Sequence, residues 1–313
     1  MKIALLDAKT LGDVPNLDKI RNYGALDIFE NTSPEEALER IKNYDIIISN
    51  KVKVDRNIIE NAPRLKLICK AATGVNDVDV AYAKEKGIPV KNVQDYSTHS
   101  VAQTTITLLL YLLNKPAYYD EYVKSGAYSE NDIFTHLSRE FYQIFEKRVG
   151  IIGLGAIGRQ VANILEAFGA EIVYYSTSGK HNDPVYQRLD LEELLSSSDI
   201  VSIHAPLNEH TQNLITYDKI KLMKKSALLI NTGRGGIIKE DDLAKALDED
   251  LILGAGLDVF EKEPISKNNP LLKVKNKEKL ILTPHMAWIS IESRTTLINK
   301  VCENIENFIK EQK

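Results

Sequence analysis

The sequence VGIIGLGAIGRQVANILEAFGAEIVYY, residues 149–175, contains a strand, a glycine-rich turn, a helix and a second strand in order. An apolar run leads into Gly153, Gly155 and Gly158, and a helix-forming run follows them. Glycines at this spacing permit a tight turn, let the backbone approach a pyrophosphate, and allow close packing of helix and strand. Amides at the helix N-terminus would face the phosphates. The stretch predicts a dinucleotide site, with a glycine-rich turn without a ligand as the alternative; its residues are Gly153, Gly155, Ala156, Ile157 and Gly158.

The same alternation of apolar runs and amphipathic stretches extends outward from this motif in both directions. Apolar runs precede it as KIALL, DIII, KLICKAA and IPVKN, and follow it as DIVSIH, SALLINT, ILGAGLDV and KLILTPH. Alternating strands and helices predict parallel sheets covered by helices on both faces. The pattern occurs twice, and a single core rarely grows beyond about 250 residues. The 313-residue chain is therefore expected to be an α/β protein with two doubly wound parallel-sheet domains.

Two further apolar stretches are predicted to be helices. VAQTTITLLLYLLNK, residues 101–115, is too short to cross a bilayer and is interpreted as a buried helix. SRTTLINKVCENIENFIK, near the C-terminus, carries Leu297, Val301, Ile305 and Ile309 at helical spacing. This last helix is expected to return to the first domain.

Composition argues against several classes of function. The net charge of −4 argues against nucleic-acid binding, which needs a concentrated basic surface. The two cysteines, Cys69 and Cys302, match no metal-ligand spacing, so no metal site is predicted. No segment reaches the roughly 18 apolar residues of a membrane span, and the N-terminal apolar run stops at Asp7. We expect a cytoplasmic protein that binds neither nucleic acid nor a membrane.

The segment YYSTSGK, residues 174–180, bears on the choice of dinucleotide. About 20 residues after the glycines, an acidic residue usually binds the adenosine ribose and disfavours a 2′-phosphate. Ser176 takes that place here, and Thr177 and Lys180 add a hydroxyl donor and a cation. The segment predicts that the cofactor is NAD or NADP and that NADPH is accepted. A polar turn with little discrimination between the two is the alternative.

Three later motifs place chemically active side chains after predicted strands, where ligands bind in open α/β sheets. LLINTGRGG carries Arg234, GAGLDVFEKEP carries Asp258 and Glu263, and LILTPHMAW carries His285. An arginine fork suits a carboxylate, a histidine can move a proton near neutral pH, and a carboxylate can orient that histidine. Taken singly, each also has a structural explanation: a surface ion pair, a charge in an acidic loop, a turn histidine. Four other histidines are interpreted as loop or surface residues: His99, His136, His181 and His210.

Together these motifs resemble the D-isomer-specific 2-hydroxyacid dehydrogenase family. GLGAIG, NTGRG, GLDVFEKEP and TPHMAW occur in the family's order, and the resemblance covers nearly the whole chain. SNKVKVD (49–55), ATGVNDVD (72–79) and YSTHSVAQTT (96–105) are most similar to the glycerate dehydrogenase, or hydroxypyruvate reductase, branch. Glu263 argues against the formate dehydrogenase branch, which has glutamine in this role.

The resemblance implies roles for individual residues. Arg234 would hold the substrate carboxylate and carbonyl, His285 would be the acid/base, and Glu263 would be its partner. Asp258 would contact the nicotinamide carboxamide. Further cofactor contacts are implied for His204, Pro206 and Thr232, and further substrate contacts for Lys51, Gly74, Val75 and Trp288.

The resemblance also implies an architecture. A Rossmann cofactor domain, residues 100–287, would be inserted into a flavodoxin-like substrate domain made of residues 1–99 and a C-terminal helix within residues 288–313. It implies a homodimer built on the cofactor domain, in which SGAYSENDIFTHL, residues 125–137, would be an exchanged arm. A plain surface loop is the alternative for this segment.

The sequence is therefore expected to encode an NAD(P)-dependent oxidoreductase that acts on CH–OH donors. It would reduce a small 2-keto acid of the hydroxypyruvate or glyoxylate type to the D-2-hydroxy acid, by hydride transfer from NAD(P)H. Two alternatives stay open. One is a D-lactate or other bulkier D-2-hydroxyacid dehydrogenase, and the other is a dinucleotide-sensing binding protein on the same scaffold.

Overall fold

The structure is a computed structural model that describes residues 1–180 and 182–312. These residues form two compact units. Unit 1 consists of Met1–Ser97 and the segment from Trp288 onward, and unit 2 is Thr98–Ala287. His181 lies outside the described residues.

Unit 1 contains five parallel strands: β1 (Lys2–Leu5), β2 (Ala25–Ile28), β3 (Ile46–Ser49), β4 (Leu67–Lys70) and β5 (Val90–Lys91). Their order in the sheet is β2-β1-β3-β4-β5, which is the flavodoxin-like order of a doubly wound sheet. Strands β3 and β4 are buried along their whole length, because apolar clusters cover both faces of the sheet.

Three helices of unit 1 begin at polar capping residues. They are α1 (Pro34–Ile41), α2 (Arg56–Glu60) and α3 (Val80–Glu85). The side chains of Ser33, Asp55 and Asp79 accept backbone N–H groups of the first turns, which have no partner within the helix.

Unit 2 contains seven parallel strands: β6 (Arg148–Ile152), β7 (Glu171–Tyr175), β8 (Gln187–Arg188), β9 (Ile200–Ile203), β10 (Leu228–Asn231), β11 (Gly254–Leu257) and β12 (Leu280–Leu282). Their order is β12-β11-β10-β9-β6-β7-β8, the Rossmann order with one additional edge strand. The direction of winding reverses between β6 and β9, so ligands are expected at the carboxyl ends of the strands around this point.

The helices of unit 2 are α4 (Thr98–Asn114), α5 (Pro116–Lys124), α6 (Ala156–Ala167), α7 (Leu191–Ser197), α8 (Tyr217–Ile220) and α9 (Glu240–Asp248). Helix α4 contains most of the apolar run 101–115, which predicts a buried helix. Its side chains Leu108, Leu109, Leu112 and Leu113 lie in the core of unit 2 with residues of β6 and α6.

The last helix, α10 (Ile291–Glu311), packs in unit 1. Leu297, Val301 and Ile305 join the apolar cluster on one face of the sheet, and Ile309 packs against its edge. Short 3-10 helices complete the two units, at Ala8–Thr10, Leu17–Tyr23, Ala127–Glu130, Pro270–Lys273 and Lys277–Lys279.

The prediction of two doubly wound parallel sheets is confirmed, but the sequence patterns missed two strands. Strand β2 buries only Leu26, and β8 consists of two exposed residues. Both lie at a sheet edge, where little side-chain burial is required, so neither carries an apolar run.

Within residues 1–180 and 182–312, no helix combines the length and apolarity needed to cross a bilayer. The same residues contain no group of three or more histidine, cysteine or acidic side chains arranged to hold a metal ion.

Candidate active site

The glycine-rich turn between β6 and α6 has the geometry that a pyrophosphate requires. Gly153 has φ +91°, and a Cβ there would lie 2.8 Å from the backbone nitrogen of Ala205. A Cβ on Gly158 would lie 2.3 Å from the carbonyl oxygen of Gly153, so helix and strand approach too closely for a side chain. A Cβ on Gly155 would instead project into open space at the N-terminus of α6. The turn therefore fits a dinucleotide phosphate above Gly155, next to the predicted contacts Ala156 and Ile157.

The segment after β7 folds into a polar turn. The N–H of Gly179 donates to the carbonyl oxygen of Ser176 at 3.1 Å, and Gly179 has φ +68°. Ser176 is buried, Thr177 is partly exposed and Lys180 is exposed. The turn follows the carboxyl end of the strand next to β6, where the adenosine ribose is expected.

Sequence reasoning missed an arginine that reaches this turn. Arg188 lies opposite Tyr174 in the β7–β8 pair, and its guanidinium donates to the carbonyl oxygen of Gly179 at 2.9 Å. The Arg188 side chain is solvent-exposed. No local sequence signal could have revealed this contact, because it depends on the pairing of a two-residue edge strand.

Asp183, the first carboxylate after this turn, is engaged elsewhere. It pairs with Arg159 and accepts the N–H groups of Val185 at 2.9 Å and Tyr186 at 3.1 Å. The hydrogen bond from Arg159 lowers the pKa of Asp183 to about 2. Because its side chain is only 3% exposed, Asp183 is poorly placed to take over the role of the missing ribose-binding acid.

The structure brings together His285 and Glu263, which are 22 residues apart in the chain. His285 Nδ1 lies 2.7 Å from Glu263 Oε2, and Glu263 Oε1 accepts the N–H of Phe260 at 3.1 Å. The carboxylate is thus held on one side by backbone and faces the imidazole on the other. The two side chains are 28% and 33% exposed, so the ring remains accessible to a substrate. This arrangement can orient an imidazole for proton transfer.

Asp258 holds the turn that carries His285. Its carboxylate accepts the hydroxyl of Thr283 at 2.6 Å and the N–H groups of Met286 and Ala287, both at 2.9 Å. The carboxylate is fully buried, and burial raises its pKa. The contacts present are structural, and the predicted contact with the nicotinamide carboxamide stays a prediction.

The turn that carries Arg234 is fixed by a buried amide. Asn231 donates to the carbonyl oxygen of Arg234 at 2.9 Å and accepts the N–H of Gly233 at 3.0 Å. A Cβ on Gly235 would lie 1.8 Å from the carbonyl oxygen of Phe260, so this turn packs directly against the loop that carries Glu263. Asn231 is a supporting residue that the sequence motifs did not single out.

His204 lies in a polar network below these turns. Its Nε2 is 2.8 Å from the hydroxyl of Ser202, and its Nδ1 is 3.5 Å from that of Thr232, which in turn contacts Thr105 at 2.8 Å. Burial lowers the pKa of His204 to about 3, so it is neutral at physiological pH. A neutral ring is compatible with its predicted place beside the cofactor and unsuited to acid catalysis. The carbonyl oxygen of the neighbouring Pro206 accepts the hydroxyl of Thr211.

The predicted substrate residues of unit 1 lie in two loops and at the start of its C-terminal segment. Lys51 follows β3 and is exposed, and Gly74 and Val75 follow β4 and are partly exposed. Trp288 packs edge-on against Tyr96, with ring centroids 6.2 Å apart, at the margin of the apolar core. The substrate contacts implied for these four residues stay predictions.

Comparison with known proteins identifies the family to which the chain is similar. Residues 106–287 match the family model described as the NAD binding domain of D-isomer specific 2-hydroxyacid dehydrogenases. A hydroxypyruvate reductase from Blautia hydrogenotrophica is 35% identical, over 99% of this chain and 97% of the relative. A glycerate dehydrogenase from Methylorubrum extorquens is 36% identical, over 90% of this chain and 88% of the relative.

A solved structure is similar over the same length. It is an acyclic imino acid reductase in complex with NADPH and D-Arg, 33% identical to this chain, with a TM-score of 0.88. The similarity covers 99% of this chain and 98% of that one.

Proposed function

The chain belongs to the D-isomer specific 2-hydroxyacid dehydrogenase family, and we propose that it reduces a small 2-keto acid to the D-2-hydroxy acid. The substrate we favour is of the hydroxypyruvate or glyoxylate type, since relatives of the chain are named for these activities. The observation that carries the proposal is the contact of His285 with Glu263 at 2.7 Å, in the unit that also contains the glycine-rich turn.

In the proposed reaction, bound NADH or NADPH supplies the hydride. Arg234 binds the substrate carboxylate and stabilises the charge that develops on the carbonyl oxygen. Protonated His285 donates its Nε2 proton to that oxygen, while Glu263 at Nδ1 keeps the ring oriented. In the oxidative direction, the same nitrogen accepts the proton of the hydroxyl group. Lys51, Gly74, Val75 and Trp288 are proposed to contribute substrate contacts from unit 1.

NADPH is proposed to be accepted beside NADH. Ser176 stands where an acid would repel a 2′-phosphate, and Arg188 and Lys180 place cations at the turn. The exposed guanidinium of Arg188 can donate to a phosphate group, which strengthens the expectation drawn from the sequence. A structure 33% identical to this chain was solved with NADPH.

A homodimer is proposed through the segment between α5 and β6. Within it, Phe134 is 91% exposed and Leu137 is 79% exposed. Phe141, with 60% exposed, extends the apolar surface along an open groove of about 890 Å³. Contiguous apolar surface of this kind usually marks a contact with another protein, and the family resemblance points to a second copy of this chain.

The protein is proposed to be cytoplasmic, which is compatible with two buried, unpaired cysteines.

The test of the proposed activity is a turnover panel. The purified protein is mixed with NADH or NADPH and with glyoxylate, hydroxypyruvate, pyruvate or a bulkier 2-keto acid, and the absorbance of the reduced nicotinamide is followed. Consumption with the two smallest acids, with a D-configured product from hydroxypyruvate, supports the proposal. Preference for pyruvate or for the bulkier acid supports the D-lactate alternative.

Two further arms separate the remaining functions. One arm adds an amine to each keto acid, and turnover that depends on the amine would reveal reduction of an imine. The other measures cofactor binding by the wild type and by the His285→Ala variant. Cofactor binding by both proteins, with no turnover by the wild type, would indicate a dinucleotide-sensing protein and contradict the proposed reaction.

A further inference from the structure

Lys70 is a buried lysine that the proposed reaction does not use. It is the last residue of β4, and its side chain has no exposed surface. Its ammonium donates to the carbonyl oxygen of Asn50 at 2.8 Å and to Asp77 Oδ2 at 2.5 Å. Burial of an ammonium costs free energy even when it is paired, and an apolar side chain of similar volume is often more favourable for stability alone. Stability alone therefore does not explain a buried lysine at this position.

The two partners of Lys70 belong to different loops at the same edge of the sheet. Asn50 directly precedes Lys51 after β3, and Asp77 follows Gly74 and Val75 after β4. Strands β3 and β4 are parallel neighbours, so both loops leave the sheet at their carboxyl ends. The ammonium bridges these loops beneath the residues expected to contact the substrate.

The loop after β3 is also held by a second charged group. Asp7, a buried carboxylate after β1, accepts the N–H of Asn50 at 3.0 Å and that of Lys51 at 2.6 Å. The backbone N–H groups of Asn50 and Lys51 and the carbonyl group of Asn50 therefore all have charged partners. The ammonium of Lys70 provides the link from this loop to the one that carries Gly74 and Val75.

We propose that Lys70 is a positioning residue that fixes the loop of Lys51 against the loop of Gly74 and Val75, so that the two can bind a substrate carboxylate together. The inference rests on the proposed function, because it assumes that these three residues hold the substrate. The ligand that the two loops would bind is a small carboxylate. Lys70 does not touch the reacting atoms in this account.

The variant Lys70→Met keeps an unbranched side chain that is shorter by one atom, and it removes the ammonium. The carbonyl of Asn50 and the carboxylate of Asp77 then lose their shared donor, and the two loops separate. We expect the KM for the keto acid to rise at least tenfold, because charge-assisted hydrogen bonds contribute on this order. The kcat at saturating keto acid should change less than threefold, since Arg234 and His285 are unaltered. The Kd for NADH should be unchanged, because the predicted cofactor residues lie in unit 2.

Lys66→Met is the matched control. Lys66 is an exposed lysine just before the same strand, and it pairs with Asp45 at 3.1 Å. The Lys66→Met variant should have the KM, the kcat and the Kd for NADH of the wild type. Asp77→Asn is the second variant, because it keeps Lys70 but weakens the bridge, and it should raise KM in the same direction by a smaller factor. It also serves if Lys70→Met does not fold.

Hydrogen exchange measures the bridge without requiring turnover. Amides in residues 49–54 and 71–78 should both exchange faster in Lys70→Met than in Lys66→Met. Faster exchange in both segments together with a raised KM supports the inference. An unchanged KM in an active Lys70→Met protein, or a fall in kcat equal to the rise in KM, would overturn it. If the wild type reduces no keto acid, the proposed function fails. The exchange measurement still tests the bridge in that case, and unchanged exchange of either segment in Lys70→Met would refute it.

Discussion

Replacing Arg188 by alanine is the sharpest test of how the cofactor is chosen. The guanidinium contacts the turn after β7, and the turn lacks the usual acid. If a 2′-phosphate is bound there, Arg188→Ala removes one of its donors. Nothing comparable is lost when NADH binds, because its ribose carries no phosphate. The effect should therefore be confined to NADPH.

The size of the effect follows from the exposure of the side chain. A hydrogen bond to a charged group contributes about 1.5–3 kcal/mol, but solvent screening reduces surface ion pairs to about 0–1 kcal/mol. Arg188 is exposed, so we take about 1 kcal/mol, which corresponds to roughly a fivefold loss of kcat/KM with NADPH. Ser176 is only 6% exposed, and a carboxylate there is screened less. Ser176→Asp should thus lower the NADPH-to-NADH ratio further, on the order of tenfold.

Steady-state kinetics with both cofactors at a fixed, saturating keto acid provide the measurement. Arg188→Lys keeps the charge and should fall between the wild type and Arg188→Ala. Arg148→Ala is a second control, because Arg148 is a paired arginine at the amino end of β6. The ratio of kcat/KM with NADPH to kcat/KM with NADH should not change in this variant. A wild type that uses NADH at least a hundredfold better than NADPH would refute the interpretation of the turn. So would an equal loss with both cofactors in Arg188→Ala.

Three other predictions concern the remaining residues. Arg234→Ala should lower kcat/KM for keto acids, by a factor that corresponds to about 2–5 kcal/mol of lost transition-state stabilisation. Steady-state kinetics measure this loss, and a near-native kcat/KM would contradict the role of Arg234 in binding the substrate carboxylate. Glu263→Gln should retain activity with a lower kcat for reduction, because glutamine orients the His285 ring less firmly than the carboxylate that lies 2.7 Å from Nδ1; an unchanged kcat in steady-state kinetics would contradict the pairing. Sedimentation should give twice the chain mass of 35.2 kDa at micromolar concentration, and Phe134→Ser should weaken the dimer; a monomeric wild type would exclude it.

The features that sequence could predict are the ones set by neighbouring residues. Gly158 is required by a contact within one strand–turn–helix unit, and Gly153 by a contact with the backbone of Ala205 after the neighbouring strand. A Cβ on Gly155 would meet nothing, at the place where a phosphate is expected, so the spacing of the three glycines indicates the fold. The buried helix α4 can likewise be predicted from the apolar residues of its own sequence. Strand β8 and Arg188 were missed because their significance comes from pairing with β7, and nothing in their local sequence distinguishes them from a loop.

Asp258 shows why a sequence motif can single out a residue and still leave its role undecided. Its motif places a carboxylate at the end of a strand, which suits a ligand contact as well as a structural one. The fold shows a structural contact, because the chain returns to Asp258 25 to 29 residues later. Thr283, Met286 and Ala287 then all donate hydrogen bonds to its carboxylate. Those three donors make Asp258 the support of the His285 turn, and the N–H of His285 itself donates to the carbonyl oxygen of Asp258 at 2.8 Å. The proposed acid/base residue, His285, is therefore positioned from two directions, by Glu263 at its ring and by Asp258 at its backbone. The family resemblance could suggest the first partner, but only the folded turn could reveal the second.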